Sequence, residues 1–314
     1  MWAEVEVMYD IVNCDIVYCW VWGEHPQVRD LFAAAGQPMY PSRSHSRHFL
    51  QNSIRLVRQN MPWHQGRIVV VSTCGLAPPG LDLERHRVAV VNQDDIVPAA
   101  HQPACNNLVV ESHLHRLPQL TETFLYMNDD QFVLRYVPPE VWVDQRRLVF
   151  YRSPVTTMEE LRMRQQEHTV WRRMSVHTAY LAEAEWGTPL SAIGLLQHMP
   201  YTMHRPTLAR VADAFWPHID AMGRRHAARS DQDVVVLILH QEWFRHHESA
   251  HVHWRSGSPA LYCFVPVVPR NQERIAECLW GEVSILALSE CADLDRGFTL
   301  RKVQQLLAER AAAE

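Results

Sequence analysis

An amide and two adjacent carboxylates, Asn128-Asp129-Asp130, follow directly on the run Thr123-Phe124-Leu125-Tyr126-Met127. Strand-prone and apolar residues ending in acids are the pattern of a buried strand that delivers charged side chains to its carboxyl end, where open α/β sheets bind ligands. Neighbouring carboxylates repel, so the pair needs a cation, a basic group or a shared proton. A divalent metal beside a phosphorylated substrate meets that need. Asn-Asp-Asp is also good turn chemistry, and on these residues alone a solvated turn competes with a site.

Other residue groups offer chemistry of their own. His198 titrates near neutral pH by type, but without further context a satisfied structural histidine is the simpler reading. Ser230 and Asp233 precede Val234-Val235-Val236 with the spacing of a capping box, so Asp233 is divided between a helix cap and a site. His247-Glu248-Ser249-Ala250-His251 matches H-E-x-x-H, which on a helix sets two imidazoles on one face for zinc. Here it falls at the tail of a helix expected to begin near Ser230, and a chain with 19 histidines produces such spacings by accident.

The elements that must position these groups alternate in type. Residues 12–21 read as a first strand, ended by Trp22-Gly23-Glu24-His25-Pro26. Leu50, Ile54, Val57 and Met61 mark an amphipathic helix closed by Pro62, and the polar, basic loop 41–48 before it suits anion binding or plain solvent exposure. Arg67 to Ser72 and Val88 to Asn92 are short apolar runs of the kind a two-sided parallel strand needs. A helix over 106–116 places Glu111 and His115 on one face. Strands follow at 123–127, 141–144 and 148–151, then a helix-rich segment from Thr156 to Trp186, helices after Arg205 and Ser230, and a closing helix from Thr299. The expected fold is one α/β domain spanning 1–314, with a mostly parallel central sheet, helices on both faces and a helical insertion at about 155–190.

Composition narrows the class. At 314 residues, 47% hydrophobic and 21% charged, the chain can bury a large core. A net charge of −5 argues against a general nucleic-acid binder. Lys302 is the only lysine, so basicity rests on arginine, whose guanidinium suits phosphate but whose abundance a GC-rich genome also produces. Seven cysteines without a C-x-x-C pair read as reduced thiols, and no 18-residue apolar run or basic-then-apolar leader is present. A soluble, cytoplasmic enzyme is expected.

Several separated stretches carry a resemblance. Asp15-Ile-Val-Tyr-Cys-Trp-Val-Trp-Gly23, then Arg43 with Ser53-Ile54-Arg55, then Glu111-Ser-His-Leu-His-Arg116 and Leu125-Tyr-Met-Asn128-Asp129-Asp130 resemble successive conserved regions of the Stealth proteins. His198 to Arg205, Arg229 to Asp233 and Ser289-Glu290-Cys291 resemble the later blocks. These are sugar-phosphate transferases that include microbial capsule polymerases and the lysosomal-enzyme N-acetylglucosamine-1-phosphotransferase. The resemblance implies that Asp130, His198, Arg205, Arg229 and Asp233 are catalytic. It implies substrate binding by Asp15, Trp20, Gly23, Arg43, Arg55, Asn106, Glu111, His115, Arg116 and Asn128, and a magnesium or manganese ion held by Asp129 and Asp130 with Glu290. Trp22, Phe49 and Glu290 depart from the family's usual asparagine, glutamate and aspartate.

The activity so implied is transfer of hexose-1-phosphate from a nucleotide-diphosphate sugar to an acceptor hydroxyl of a glycan or other molecule, with release of nucleoside monophosphate. Asp130 and His198 are the two candidates for the base. An ordinary glycosyltransferase releasing nucleoside diphosphate uses the same kind of nucleotide seat. The departures at Trp22, Phe49 and 289–291 motivate a third reading, a silent relative that binds nucleotide or glycan without turnover.

Overall fold

In β1 (Asp15–Trp20), β2 (Ile68–Ser72) and β4 (Thr123–Met127) the side chains alternate between two apolar clusters. Val17, Val69, Val71, Phe124 and Tyr126 enter one cluster, while Ile16, Tyr18, Ile68, Val70, Leu125 and Met127 enter the other. This two-residue period, apolar on both faces, forces helices onto both sides of the sheet. In the computed structural model, which describes residues 9–38, 47–164, 169–227, 229–290 and 296–312, these strands and β3 (Val88–Asn92) run parallel in the order β3-β2-β1-β4. An antiparallel β9 (Tyr201–His204) closes the sheet beside β4. The expected mostly parallel α/β architecture is what the chain forms.

After α1 (Pro26–Ala34), α2 (Arg47–Asn60) covers one face through Leu50, Ile54 and Val57. The other is covered by α3 (Asn107–Ser112), α5 (Val170–Trp186), α6 (Arg205–Ala214), α7 (Trp216–Arg224) and α8 (Val236–His247). Each fully buried aliphatic side chain contributes about 1.5–3 kcal/mol. Between β7 (Arg147–Thr157) and β8 (Gly194–Leu196) the chain forms α4 (Met158–Met163) and α5. Thr157 and Glu160 form a reciprocal capping box at the start of α4.

Two smaller sheets flank the main one. β7 pairs with β6 (Val143–Asp144), β8 and β10 (Val252–Arg255). β5 (Gln131–Val133) pairs antiparallel with β12 (Ile285–Glu290), which runs parallel to β11 (Tyr262–Val267). α9 (Gln272–Trp280) and α10 (Arg296–Ala312) cover this third sheet. Among the described residues no helix is long and apolar enough to cross a membrane.

Two helices differ from expectation. The helix over 106–116 ends at Ser112, followed by a 3-10 turn at Leu114–Arg116. Ser112 Oγ and His113 Nδ1 bond back to the carbonyls of Leu108 and Val109, and such back-bonding loosens a helix end. α8 begins at Val236 rather than near Ser230, because the Val235 N–H is taken by Thr178 Oγ1 at 2.9 Å.

Gly66 fixes the entry into β2: a Cβ there would lie 1.7 Å from the Cys14 carbonyl oxygen. Gly66→Ala is expected to cost about 3 kcal/mol through overpacking against backbone. The shift in urea denaturation midpoint measures it, and a midpoint within error of wild type would contradict the close approach.

Candidate functional site

The acid-bearing turn is gripped from two sheets. After β4 the chain turns at 128–131, closed by Gln131 N–H to Asn128 O at 3.1 Å and by Asn128 N–H to Gln131 Oε1 at 3.1 Å. It then enters β5, where the Leu288 N–H of β12 donates to Asp130 O at 2.9 Å. Because β9 is antiparallel to β4, with Tyr201 opposite Tyr126, the residues just before β9 arrive over the carboxyl end of β4. His198 is among them.

His198 Nε2 lies 3.0 Å from Asp130 Oδ1, and Nδ1 lies 3.5 Å from the Asn128 amide nitrogen. With Nε2 donating to Asp130, Nδ1 accepts from Asn128, and an amide that turns over serves the charged ring equally. The His198 N–H donates to Tyr262 Oη at 3.0 Å, and the Phe264 ring stands edge-on to the imidazole at 5.8 Å. His198 and Asp130 are 25% and 24% exposed, so the pair meets solvent at a mouth rather than in a sealed core. Burial opposes the imidazolium and Arg229 adds to that, but the Asp130 charge and hydrogen bond, with Asp129 behind them, outweigh both and hold the His198 pKa above the ordinary value.

A second carboxyl sits deeper. Glu111, 3% exposed on α3, accepts at Oε1 from Tyr126 Oη at 2.8 Å and from Asn107 Nδ2 at 2.7 Å. Its Oε2 is buried without a hydrogen-bond partner among the described residues. Burial pushes its pKa up, against Arg229, Tyr126, Asn107 and His198. Arg229 donates from Nε and Nη2 to Asn107 Oδ1 at 3.1 and 2.5 Å, so Asn107 links guanidinium to carboxyl. Asp130, His198, Glu111 and Arg229 thus share one electrostatic neighbourhood at the carboxyl end of β4.

Asp233 holds the loop that presents Arg229. Its carboxylate, fully buried, accepts from Asn106 Nδ2 at 2.7 Å and from the Ser230 N–H at 2.9 Å, and pairs with Arg225. Asn106 caps α3 through Leu108 N–H at 3.1 Å. Both residues therefore tie the 229–233 loop to α3 and neither faces the Asp130–His198 pair; the capping-box geometry at Ser230 is present in part, without a helix behind it.

The structure sends several other expected residues elsewhere. Asp15 opens β1 at the amino end of the sheet, in register with Phe124, and is bound there by Arg67 at 2.9 and 3.1 Å and by the Thr121 N–H. Arg205 follows β9, and since β9 runs antiparallel it lands at that same far end, donating to His115 O and Leu120 O. His115 and the exposed Arg116 lie in the 3-10 turn beside it. Arg55 faces away from Ser53, whose hydroxyl donates to Gln131 O at 2.6 Å, and lines a cavity of about 460 Å³ with Arg58, Arg85 and His86. The structure does not bring these residues to the Asp130–His198 pair: a motif resemblance does not report strand direction or helix phase. Arg43 and the side chain of Glu290 lie outside the described residues; the Glu290 backbone pairs with Val267 at the end of β12.

Trp20 and Gly23 are at the right end. Trp20 is the last residue of β1, two beyond Tyr18, which is level with Met127. Its ring stacks on Trp22 at 6.2 Å, and Trp22 meets His25 at 4.9 Å. The indole N–H groups of Trp20 and Trp22 and the Nδ1 of His25 are all buried without partners among the described residues. The Gly23 carbonyl accepts from Arg29 at 3.4 Å, closing the turn under them.

For a metal, Asp129 and Asp130 are adjacent at the site, and no group of three His, Cys, Asp or Glu comes together among the described residues. Magnesium is satisfied by one or two carboxylates beside substrate phosphates and water, so these two fit it. The H-E-x-x-H match does not form a zinc face: His247 ends α8 and stacks on Trp243 at 3.9 Å, Glu248 pairs with Arg210, and His251 lies 3.3 Å from Tyr9 Oη. Sequence reasoning missed Asn107, Tyr126, Tyr262 and Phe264. The period of β11 held the signal for the last two, since Val265 and Val267 point into the core and Tyr262 and Phe264 therefore share the other face.

A parallel-rich α/β sheet carrying an acid, a histidine and an arginine at its carboxyl end is the class defined by this geometry. Residues 43–150 match the family model described as Stealth protein CR2, conserved region 2. The capsular polysaccharide phosphotransferase cps1A of Actinobacillus pleuropneumoniae is 30% identical over 139 residues, 41% of this chain and 37% of that protein. The exopolysaccharide phosphotransferase SCO6023 of Streptomyces coelicolor is 38% identical over 133 residues, 40% of this chain and 22% of its own length. The chain therefore spans well under half the length of these relatives. Among solved structures, the galactosyltransferase LgtC with donor and acceptor sugar analogues is 12% identical, with a TM-score of 0.46 over 94% of this chain and 95% of that one.

Proposed function

We propose that this chain transfers a hexose-1-phosphate from a nucleotide-diphosphate sugar to an acceptor hydroxyl, forming a phosphodiester and releasing nucleoside monophosphate. The observation that carries this is the 3.0 Å hydrogen bond between His198 and Asp130, set beside Arg229 and the buried Glu111 at one strand end. The capsular and exopolysaccharide phosphotransferase names of the relatives support it.

Phosphoryl transfer asks a protein mainly for positioning and charge stabilisation. His198, turned and polarised by Asp130, takes the proton of the acceptor hydroxyl as that oxygen attacks the β-phosphorus. The bond from the β-phosphorus to its bridge with the α-phosphate breaks, and the nucleoside monophosphate leaves with the bridging oxygen. Arg229, held by Asn107 through Nε and Nη2, faces the phosphoryl oxygens with its remaining guanidinium donors. Glu111, whose pKa burial pushes up, meets the donor with its unpartnered oxygen. The unpartnered ring nitrogens of Trp20, Trp22 and His25 are the seat for the nucleotide. A magnesium or manganese ion held by Asp129 and Asp130 would supply charge neutralisation on the pyrophosphate. The acceptor is a glycan or another hydroxyl compound. Six free cysteines among the described residues favour a reducing, cytoplasmic setting.

The test is to incubate the protein with a panel of nucleotide sugars, manganese and a glycan acceptor and identify the released nucleotide. Monophosphate supports the proposal; diphosphate replaces it with glycosyl transfer.

The pH dependence follows from the His198 pKa, which Asp130 holds above the ordinary value of 6.5. A base must be neutral, so kcat/KM is expected to rise with pH along a limb centred above pH 6.5. Asp130→Asn removes the main raising influence, and the limb moves to lower pH as the maximum rate falls. A limb that stays in place in the variant would assign the proton to another group.

A further inference from the structure

Resting on the transferase reading above, we propose that Phe264 is the platform on which the acceptor lies, and that the acceptor is a pyranose presenting an apolar C–H face. Phe264 is 41% exposed, although it lies inside a strand between the half-buried Cys263 and the buried Val265. Tyr136, Met163, Val170, Tyr180, Trp216 and Trp280 are the other exposed large apolar side chains among the described residues, but Phe264 is the one in ring contact with His198.

The placement is built from the strand upward. β11 alternates, so Val265 and Val267 anchor it in the third core while Tyr262 and Phe264 face the site together. Tyr262 is tied to the His198 N–H at 3.0 Å, which fixes the strand's height relative to the imidazole. Gly257 brings the preceding loop against the same segment: a Cβ there would lie 3.0 Å from Gln197 Oε1, 3.2 Å from Tyr262 Cβ and 3.3 Å from Met199 Sδ. The Gly257 N–H donates to Gln197 Oε1 at 2.8 Å, locking loop and histidine segment together. The Phe264 ring is therefore held perpendicular to the imidazole, at 89°, and is partly open to solvent beside it.

An acceptor hydroxyl that gives its proton to His198 must bring its carbon skeleton within about one ring width of that surface. A sugar with equatorial hydroxyls carries axial C–H groups on its faces, which pack on an aromatic ring while the hydroxyls stay free for Asp130 and His198. A flexible polyol such as glycerol has no such face. Phe264 is thus a binding residue for the acceptor, and its contact with His198 sets the distance between platform and base.

The experiment uses methyl β-glucopyranoside and glycerol as probes. Saturation-transfer NMR with the wild-type protein is expected to show the ring protons of the glucoside in contact with protein, and no such transfer to glycerol. Phe264→Ala weakens glucoside binding about tenfold, the size of one lost aromatic contact, and Phe264→Trp restores it. In turnover, the alanine variant raises the acceptor KM by the same factor, leaves the donor KM unchanged and leaves the pH limb where it was. Unchanged glucoside binding in Phe264→Ala overturns the platform. A shifted pH limb with unchanged binding also overturns it, by making Phe264 only a support for His198. Binding that disappears in Phe264→Ala and returns in Phe264→Trp supports the platform even if no nucleotide sugar is turned over, an outcome that would instead count against the transferase.

Discussion

Replacing His198 by alanine is expected to slow transfer by about 10³-fold while leaving the fold in place. The side chain is a quarter exposed and its backbone N–H, not its ring, carries the bond to Tyr262, so its removal opens a small space at the mouth and leaves β9 paired with β4. What is lost is the proton acceptor at 3.0 Å from Asp130. Asp130→Asn should cost less in binding but a comparable amount in rate, and the double variant should be little worse than either single one, because residues that act as a unit are not additive. Steady-state kcat/KM beside a far-UV circular dichroism spectrum checks this. Full activity in His198→Ala with a native spectrum would remove the base from the mechanism.

Asp233→Ala is expected to produce the largest loss of stability among the charged residues near the site, about 3 kcal/mol. The carboxylate is fully buried and satisfies three donors: the Asn106 amide, the Ser230 N–H and the Arg225 guanidinium. Alanine leaves the buried Asn106 amide and the half-buried Ser230 N–H without this acceptor, and a buried group so left costs about 1–3 kcal/mol. Arg225 is 34% exposed and recovers solvation, which places the total at the lower end for a broken buried pair. Activity should fall as well, by about 10²-fold if Arg229 is displaced by an ångström, since the same carboxylate closes the loop on which Arg229 is presented. Asp233→Asn keeps the shape and two of the three bonds, so it should fall between the two. Urea denaturation and kcat/KM check both effects; a stable, active alanine variant would show that the loop is held by other contacts.

Strand positions were legible because their physics is local. The apolar runs at Ile68–Ser72, Val88–Asn92 and Thr123–Met127 appear in the sheet where their composition places them, and the two-sided burial they imply brings helices to both faces. The meeting of Asp130 with His198 and Arg229 was legible only through the family resemblance, since residues 68 and more positions apart have no shared local period. The same resemblance implies a catalytic Arg205 and a substrate-binding Asp15; the antiparallel course of β9 sets Arg205 away from His198, and Asp15 lies at the amino end of β1, away from the acids. Adjacent letters in a motif are not adjacent in space when a strand runs between them. The partition into three sheets was hidden as well, because β5 leaves the main sheet after a four-residue turn and pairs with β12, more than 150 positions later. Phe264 was missed for a simpler reason: an aromatic in an apolar strand reads as core until the strand's phase is known.

The bond that breaks in the donor distinguishes the proposed chemistry from its nearest competitor. A nucleotide sugar labelled with oxygen-18 between the sugar carbon and the β-phosphorus should deliver the label intact into the phosphodiester product, read by mass spectrometry, alongside unlabelled nucleoside monophosphate. Label recovered in nucleoside diphosphate, with a product free of phosphorus, would mean that Asp130, His198 and Arg229 serve cleavage at carbon and that no phosphoryl group is transferred here.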